Sequence, residues 1–198
     1  MGVLVWVLLG IVVVLVLFVV LAYNRLVRLR NQIEAAWAQI DVQLRRRYDL
    51  IPNLVETVKG YAAHERETFE SVTRARQQAI AAEGVEGQAQ AENMLTQALR
   101  QLFAVAEAYP DLKANQNFLA LQEELTGTEG RIAFARQFYN ERTLAYDNSL
   151  EQFPTNLIAG TFNFGPRAYF EAEESSREPV RVDFGQGTSP PPRSPPTA

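Results

Sequence analysis

Few side chains in this sequence are of the kind that enzymes use, and their spacing fits no familiar catalytic or metal-binding pattern. His64 is the only histidine, so the pair His64-Glu65 lacks the second histidine of an H-E-x-x-H zinc helix. A carboxylate di-iron bundle requires two Glu-x-x-His motifs and fails for the same reason. The lack of cysteine removes disulfides, thiolate metal ligands and a cysteine nucleophile. The sequence therefore predicts no catalytic residue, no metal site and no cofactor.

The other polar residues are typical of helix surfaces and caps. No nucleophile elbow is present for Ser-His-Asp catalysis, and the glycines match neither a phosphate loop nor a dinucleotide fingerprint. Acidic pairs such as Glu123-Glu124 are usually solvated on a helix surface. Asparagines in helical segments serve as caps or as buried polar groups that set register. Several are present: Asn24, Asn31, Asn53, Asn115, Asn117, Asn140 and Asn148. A ligand-binding cluster of such amides is the alternative, and it would make the protein a sensor that binds a small molecule or metal inside a bundle.

The densest group of charges is Arg45, Arg46 and Arg47, followed by Asp49 and Pro52 in the stretch "RRRYDLIPNLV". Arginines favour the C-terminus of a helix and carboxylates its N-terminus, and proline fits the first helical turn. The stretch therefore predicts a corner at which one helix ends and Asp49 caps the next. One continuous, kinked helix is the alternative, because the heptad phase survives across Pro52. At such a corner the three arginines would be exposed and would form a candidate contact tip for a protein partner.

The N-terminal stretch predicts a membrane anchor at residues 1–23. Residues 2–22 are uninterrupted apolar residues, and at 1.5 Å each these 21 residues span about 30 Å, the thickness of the hydrocarbon core. A cleaved signal peptide is the alternative, but no basic region precedes the run and no small-residue cleavage site follows it. All Lys and Arg residues near the span follow it. The protein is therefore predicted to lie in the cell membrane with its N-terminus outside the cell and the rest of the chain in the cytoplasm. The residues predicted at the membrane interface are Trp6, Tyr23, Arg25, Arg28 and Arg30.

Residues 24–153 carry four amphipathic helical patterns with short connections. The first continues from the anchor through Leu44, and the second runs from Leu54 to Ala79. The third and fourth patterns span 91–109 and 118–150, and the heptad spacing of the fourth indicates helix packing. The predicted fold is therefore all-α: a transmembrane helix that continues into an antiparallel four-helix bundle.

Further expectations concern single residues and the C-terminal part. Trp37 shares a helix face with apolar residues and is predicted to be buried between helices. Three glycines lie inside the helical patterns: Gly60, Gly127 and Gly130. They are predicted to lie where two helices approach each other closely, with a local helix break near "TGTEG" as the alternative. Residues 154–174 are predicted to form a packed irregular segment with a short helix at 166–173. Residues 175–198 are predicted to form a disordered Pro/Ser-rich tail.

Three long motifs closely resemble the LemA family of bacterial membrane proteins. They are "YNRLVRLRNQIEAAWAQIDVQLRRRYDLIPNLVETVKGYAAHERETFESVTRAR", "YPDLKANQNFLALQEELTGTEGRIAFARQFYN" and "EQFPTNLIAGTFNF". The resemblance extends over about residues 1–174. It implies a single N-terminal span, an N-out and C-in arrangement, and a cytosolic antiparallel four-helix bundle. The family supplies no established activity or ligand, so no catalytic residue is carried over.

The hypothesis that fits these patterns is a membrane-anchored, non-enzymatic scaffold or adaptor. It would contact lipid through its N-terminal helix and bind an unidentified protein at the cytoplasmic membrane face. The net charge of −4 gives no reason to expect nucleic acid as a partner. The oligomeric state is not specified by the sequence.

The first prediction concerns topology. A phosphatase that is active only in an oxidising periplasm should be inactive when fused to the C-terminus, because the arginines near the span all follow it. Replacement of Arg25, Arg28 and Arg30 by Glu should weaken this preference and raise the phosphatase activity. Strong activity of the unsubstituted fusion would reverse the assigned orientation.

Overall fold

The structure, a computed structural model, describes residues 1–170, and over these residues it is all-helical without a strand. The helices are α1 (Gly2–Lys59), α2 (Arg66–Ala81), α3 (Gly84–Glu107), α4 (Pro110–Lys113), α5 (Gln116–Glu151) and α6 (Thr155–Thr161). The predicted all-α class is confirmed for this part of the chain. The predicted tail, 175–198, and residues 171–174 lie outside the described residues.

Helix α1 is the only described helix that is long and apolar enough to cross a membrane. Its most apolar window has a mean hydropathy of 3.5, and none of that window is buried inside the protein. With 58 residues the helix is about 87 Å long. An exposed apolar surface of this size is unfavourable in water. It indicates a membrane-associated protein whose anchor continues directly into the folded part.

Helix α5 is the main partner of α1, and α2 packs chiefly against α3. The helices α1 and α5 run antiparallel, because Arg46 of α1 pairs with Glu124 near the start of α5, whereas Trp37 contacts Tyr139 further along. The short helices α4 and α6 also touch α5, and α6 reaches back to α1. Large side chains with almost no exposed surface fill the space between the helices: Leu26, Ile40, Ile51, Leu54, Leu95, Leu102, Ile132 and Tyr146.

The predicted corner at the arginine triplet is wrong, and the alternative of one continuous helix is correct. Pro52 lies inside α1, and Asp49 is an exposed residue within the helix rather than a cap. Because proline has no N–H, the carbonyl of Tyr48 loses its normal helical donor. The Arg76 side chain of α2 replaces that donor, with 2.7 Å between its Nε and the Tyr48 oxygen. A contact from another helix thus satisfies the carbonyl that the proline leaves free.

Helix α1 ends only at Lys59, so the second predicted helix is divided between two elements. Leu54 and Val58 belong to α1, and the pattern resumes in α2 with Phe69. Gly60 is not inside a helix but follows the last residue of α1, and its N–H donates to the carbonyl of Glu56 at 3.2 Å. Glycine disfavours helix interiors because it loses the most backbone freedom, which accounts for the end at this position.

Three further expectations are corrected. Gly127 and Gly130 lie inside an unbroken α5, but nothing lies within 4 Å of a Cβ added to either, so neither a close helix approach nor a break is present. The predicted short helix at 166–173 is not found over 166–170; a short helix forms earlier, as α6. Trp37 is partly rather than fully buried, with its ring stacked on Phe170 at 5.5 Å.

The second prediction tests whether Arg76 compensates for Pro52. Arg76→Met should lower the free energy of unfolding by about 1–2 kcal/mol, because the Tyr48 carbonyl loses its donor. In a Pro52→Ala background the restored N–H should serve that carbonyl, so the same substitution should cost clearly less. Urea unfolding of the full-length protein in detergent micelles, followed by circular dichroism, measures all four proteins of this cycle. Equal costs in both backgrounds would disprove the compensation.

Candidate functional site

Arg47, the last residue of the arginine triplet, is a deeply buried charge in the described part of the protein. Its side chain is 3% exposed, and Glu92 of α3, which faces it, is 1% exposed. Arg47 Nη1 lies 2.8 Å from Glu92 Oε2, and Nη2 donates to Thr96 Oγ1 at 2.8 Å. Nη2 also lies 3.2 Å from Glu129 Oε2 of α5. One guanidinium therefore joins α1, α3 and α5, and we call this group of residues the Arg47 cluster.

Tyr48 and Gln88 complete the hydrogen bonding of Glu92. The Tyr48 hydroxyl donates to Glu92 Oε1, and Gln88 Nε2 donates to the Tyr48 hydroxyl oxygen at 2.9 Å and to Glu92 Oε1 at 3.2 Å. Burial raises the pKa of the Tyr48 phenol above its usual value, and the negative charge of Glu92 raises it further. Tyr48 therefore remains a neutral donor to the carboxylate. These contacts offset part of the cost of burying the carboxylate.

The arginine triplet does not form the predicted exposed contact tip. The three residues lie in the middle of α1, and only Arg45 and Arg46 are exposed. Arg45 pairs with Asp41, one helical turn away, at 2.7 Å. Arg46 pairs with Glu124 of α5. Two of the arginines thus remain available at the surface, whereas Arg47 belongs to the interior.

A second arginine, Arg136 of α5, lies near the Arg47 cluster and is less well satisfied. Its Nε and Nη2 atoms are buried and have no hydrogen-bond partner among the described residues. Its guanidinium lies over the ring of Phe170, with 5.1 Å between Cζ and the ring centroid. Burial lowers the pKa of Arg136, while the charges of Glu92 and Glu129 act in the opposite direction.

A concave groove lies between α1 and α5. Its volume is about 630 Å³, and it is lined by Ala38, Gln39, Val42 and Gln43 of α1 and by Gly127, Gly130, Arg131, Phe134 and Ala135 of α5. Val42 is 61% exposed and Phe134 is 71% exposed, so the groove carries two large apolar side chains at its surface. The Oε1 atom of Gln43 is buried and has no donor among the described residues. We call this surface the α1–α5 groove.

The residues predicted at the membrane interface divide into two groups along α1. Trp6 is exposed within the apolar run, whereas Tyr23 contacts the rings of Phe162 and Phe164, at 5.0 and 5.6 Å between centroids. Arg25 and Arg28 are exposed, and the Arg30 guanidinium lies 5.7 Å from the ring centroid of Phe164. The structure therefore brings the predicted interfacial residue Tyr23 together with the segment after α5.

The described part of the chain is a helical protein with one exposed apolar N-terminal helix. The family model named "LemA family" matches residues 36–184, and the chain belongs to this family. Similar proteins include "Protein LemA" of Metamycoplasma hominis, 28% identical, with 82% of this chain and 74% of that protein covered. "Magnetosome protein MamQ 2" of Paramagnetospirillum magneticum is 24% identical, with 85% and 72% covered. "Magnetosome protein MamQ" of Magnetospirillum gryphiswaldense is also 24% identical, with 80% and 68% covered.

The sequence contains a signal for the polar residues of α3 that surround Arg47 and Tyr48. Gln88, Glu92 and Thr96 follow each other at intervals of four within α3, where Ala91, Leu95 and other neighbours are apolar. This spacing places the three polar side chains in one row on the helix. The groove residues Val42 and Phe134 gave no such signal, because single apolar residues are common on protein surfaces.

The third prediction separates Arg47 from its exposed neighbour. Arg47→Gln should lower the free energy of unfolding by about 3–5 kcal/mol, because Glu92 would remain buried without its cation. The matched variant Arg45→Gln should change it by less than about 1 kcal/mol, since its partner Asp41 is solvated. Replacement of both Arg47 by Met and Glu92 by Leu should recover most of the loss. Equal stability of the two single variants, measured by urea unfolding in micelles, would disprove the buried pair.

Proposed function

We propose that this protein is a membrane-anchored, non-enzymatic scaffold that binds another protein through the α1–α5 groove. In this proposal the N-terminus is outside the cell membrane and the groove lies in the cytoplasm, as the arginines after the span favour. The parts of α1 after the span, α2, α3 and α5 act together as an antiparallel four-helix bundle. The bundle presents the groove at a fixed distance from the bilayer, because α1 continues from the anchor without a break.

The two glycines of α5 are the observation that carries this proposal. Glycine in a helix interior costs about 1 kcal/mol relative to alanine. Neither Gly127 nor Gly130 is required by the packing of the described residues, because the space over both is empty to 4 Å. Both instead line the α1–α5 groove. Their small size thus leaves room on the outside of the protein, where a partner can approach the backbone of α5.

The chemistry of the groove favours an amphipathic helix as the bound element. An apolar floor with exposed Val42 and Phe134 at the surface suits the apolar face of a helix. A donor side chain on that helix would satisfy the buried Oε1 of Gln43, which lacks a partner in the described part of the chain. Arg131 lines the same surface and suits an acidic residue at the border of the contact.

The fourth prediction distinguishes a docking surface from a purely structural feature. Replacement of both Gly127 and Gly130 by Ala should raise the free energy of unfolding by about 1 kcal/mol or more, because helix propensity improves and no clash arises. The same replacement should weaken partner binding, because the added methyl groups occupy the groove. We would measure stability by urea unfolding in micelles.

Binding is read out by a photo-crosslinking residue at Phe134 in the host's own membranes, followed by identification of the captured protein. A crosslinker at Ile80 of α2, which is 52% exposed, serves as the matched control for non-specific capture. We expect one captured protein at Phe134, absent at Ile80 and reduced at least tenfold by the double alanine variant. Capture that is equal at both positions, or unaffected by the alanines, would contradict the proposed site.

A further inference from the structure

The segment after α5 folds back onto α1 at the level where the apolar run ends. Helix α6 contacts both α1 and α5. Ala22 and Leu26 are buried, unlike the exposed residues earlier in the run. Tyr23 contacts Phe162 at 5.0 Å, immediately after α6. The C-terminal end of the span is therefore covered on one side by the α6 segment, residues 153–164.

The α6 segment carries large apolar side chains that are exposed in the described part of the protein. Leu157 is 61% exposed and Phe162 is 49% exposed, and Phe153, at the start of the segment, is 79% exposed. On α1, the exposed apolar run extends to Leu21, which is 68% exposed and lies on roughly the opposite face from Tyr23, at nearly the same level along the helix axis. The exposed apolar side chains of the α6 segment therefore lie at the level where the apolar run ends.

Cationic and aromatic groups follow this apolar surface in the order found at a membrane interface. Tyr23, Phe162 and Phe164 form the aromatic layer, and Arg30 lies over the Phe164 ring. Arg25 and Arg28 are exposed at this level of α1. Aromatic residues at the headgroups and arginines beyond them are typical of the end of a membrane span.

We propose that the α6 segment is a second membrane contact, which inserts Leu157 and Phe162 into the interface of the bilayer that holds α1. The headgroup region is about 5–8 Å thick on each side of the hydrocarbon core. Tyr23 follows directly on the apolar run, and Phe162 is 5.0 Å from it. The anchor therefore carries the α6 segment into the headgroup layer. Lipid is the occupant that this geometry supplies, and the contact does not depend on the proposed function of the groove.

The test uses single-cysteine variants, since the chain has no cysteine of its own. Full-length Leu157→Cys is labelled with an environment-sensitive nitrobenzoxadiazole dye. It is then reconstituted into vesicles of phosphatidylethanolamine and phosphatidylglycerol with or without a nitroxide on the acyl chains. Leu21→Cys, in the span, is the positive control. Leu119→Cys, which is 47% exposed near the start of α5, is the matched negative control.

The nitroxide lipids should quench the dye at position 157 at least threefold more than the dye at position 119, and by an amount comparable with position 21. Quenching at position 157 no stronger than at position 119 would overturn the proposal. That result would mean that the exposed residues of α6 face water or a protein absent from the vesicles. Circular dichroism of each labelled protein checks that the helices are retained. We expect them to be retained in the Leu157→Cys protein, because Leu157 is exposed and its replacement leaves the core intact.

Discussion

The ion pair between Arg47 and Glu92 is the contact on which the arrangement of the helices depends. It joins α1 to α3, and the second carboxylate, Glu129, joins the same guanidinium to α5. A buried pair of this kind contributes little net stability, because the cost of removing both charges from water offsets their attraction. Its stronger effect is on specificity, because any shift in the register of α1 against α3 would leave two buried charges unpaired. The pair therefore favours one packing of the three helices over the alternative packings that apolar contacts alone would also allow.

The continuity of α1 is a second consequence of contacts between helices. A proline in a helix interior costs about 3 kcal/mol or more and commonly ends or bends the helix. Arg76 of α2 donates to the carbonyl that Pro52 leaves free, one residue after Arg47 in the chain. The neighbouring residues Arg47 and Tyr48 are thus held to α3 and to α2 respectively. Because of these contacts the anchor and the packed part of α1 form one helix of 58 residues.

The features that could be predicted from the sequence are those fixed by local pattern. The apolar run follows from composition, and the helices follow from the period of their apolar residues. Helices α3 and α5 end close to Pro110 and Pro154, as proline predicts. The path of the chain at Pro52 could not be predicted in this way, because the compensating donor, Arg76, lies 28 residues after Tyr48, whose carbonyl it satisfies. The burial of Arg47 was missed for the same reason. An arginine beside two others is usually solvated, and its carboxylate partner is 45 residues further along the chain.

The two surfaces proposed for binding are linked by the orientation of α1. A single helix in a bilayer is free to rotate about its axis. The α1–α5 groove lies on one side of α1, so rotation would present it in every direction. The proposed contact of Leu157 and Phe162 with lipid would remove this freedom, because the α6 segment lies on one side of the span. The proposed contact would thereby fix the direction in which the α1–α5 groove faces. Since α1 has no break between the span and Gln43, a constraint at Tyr23 reaches the groove through the helix itself.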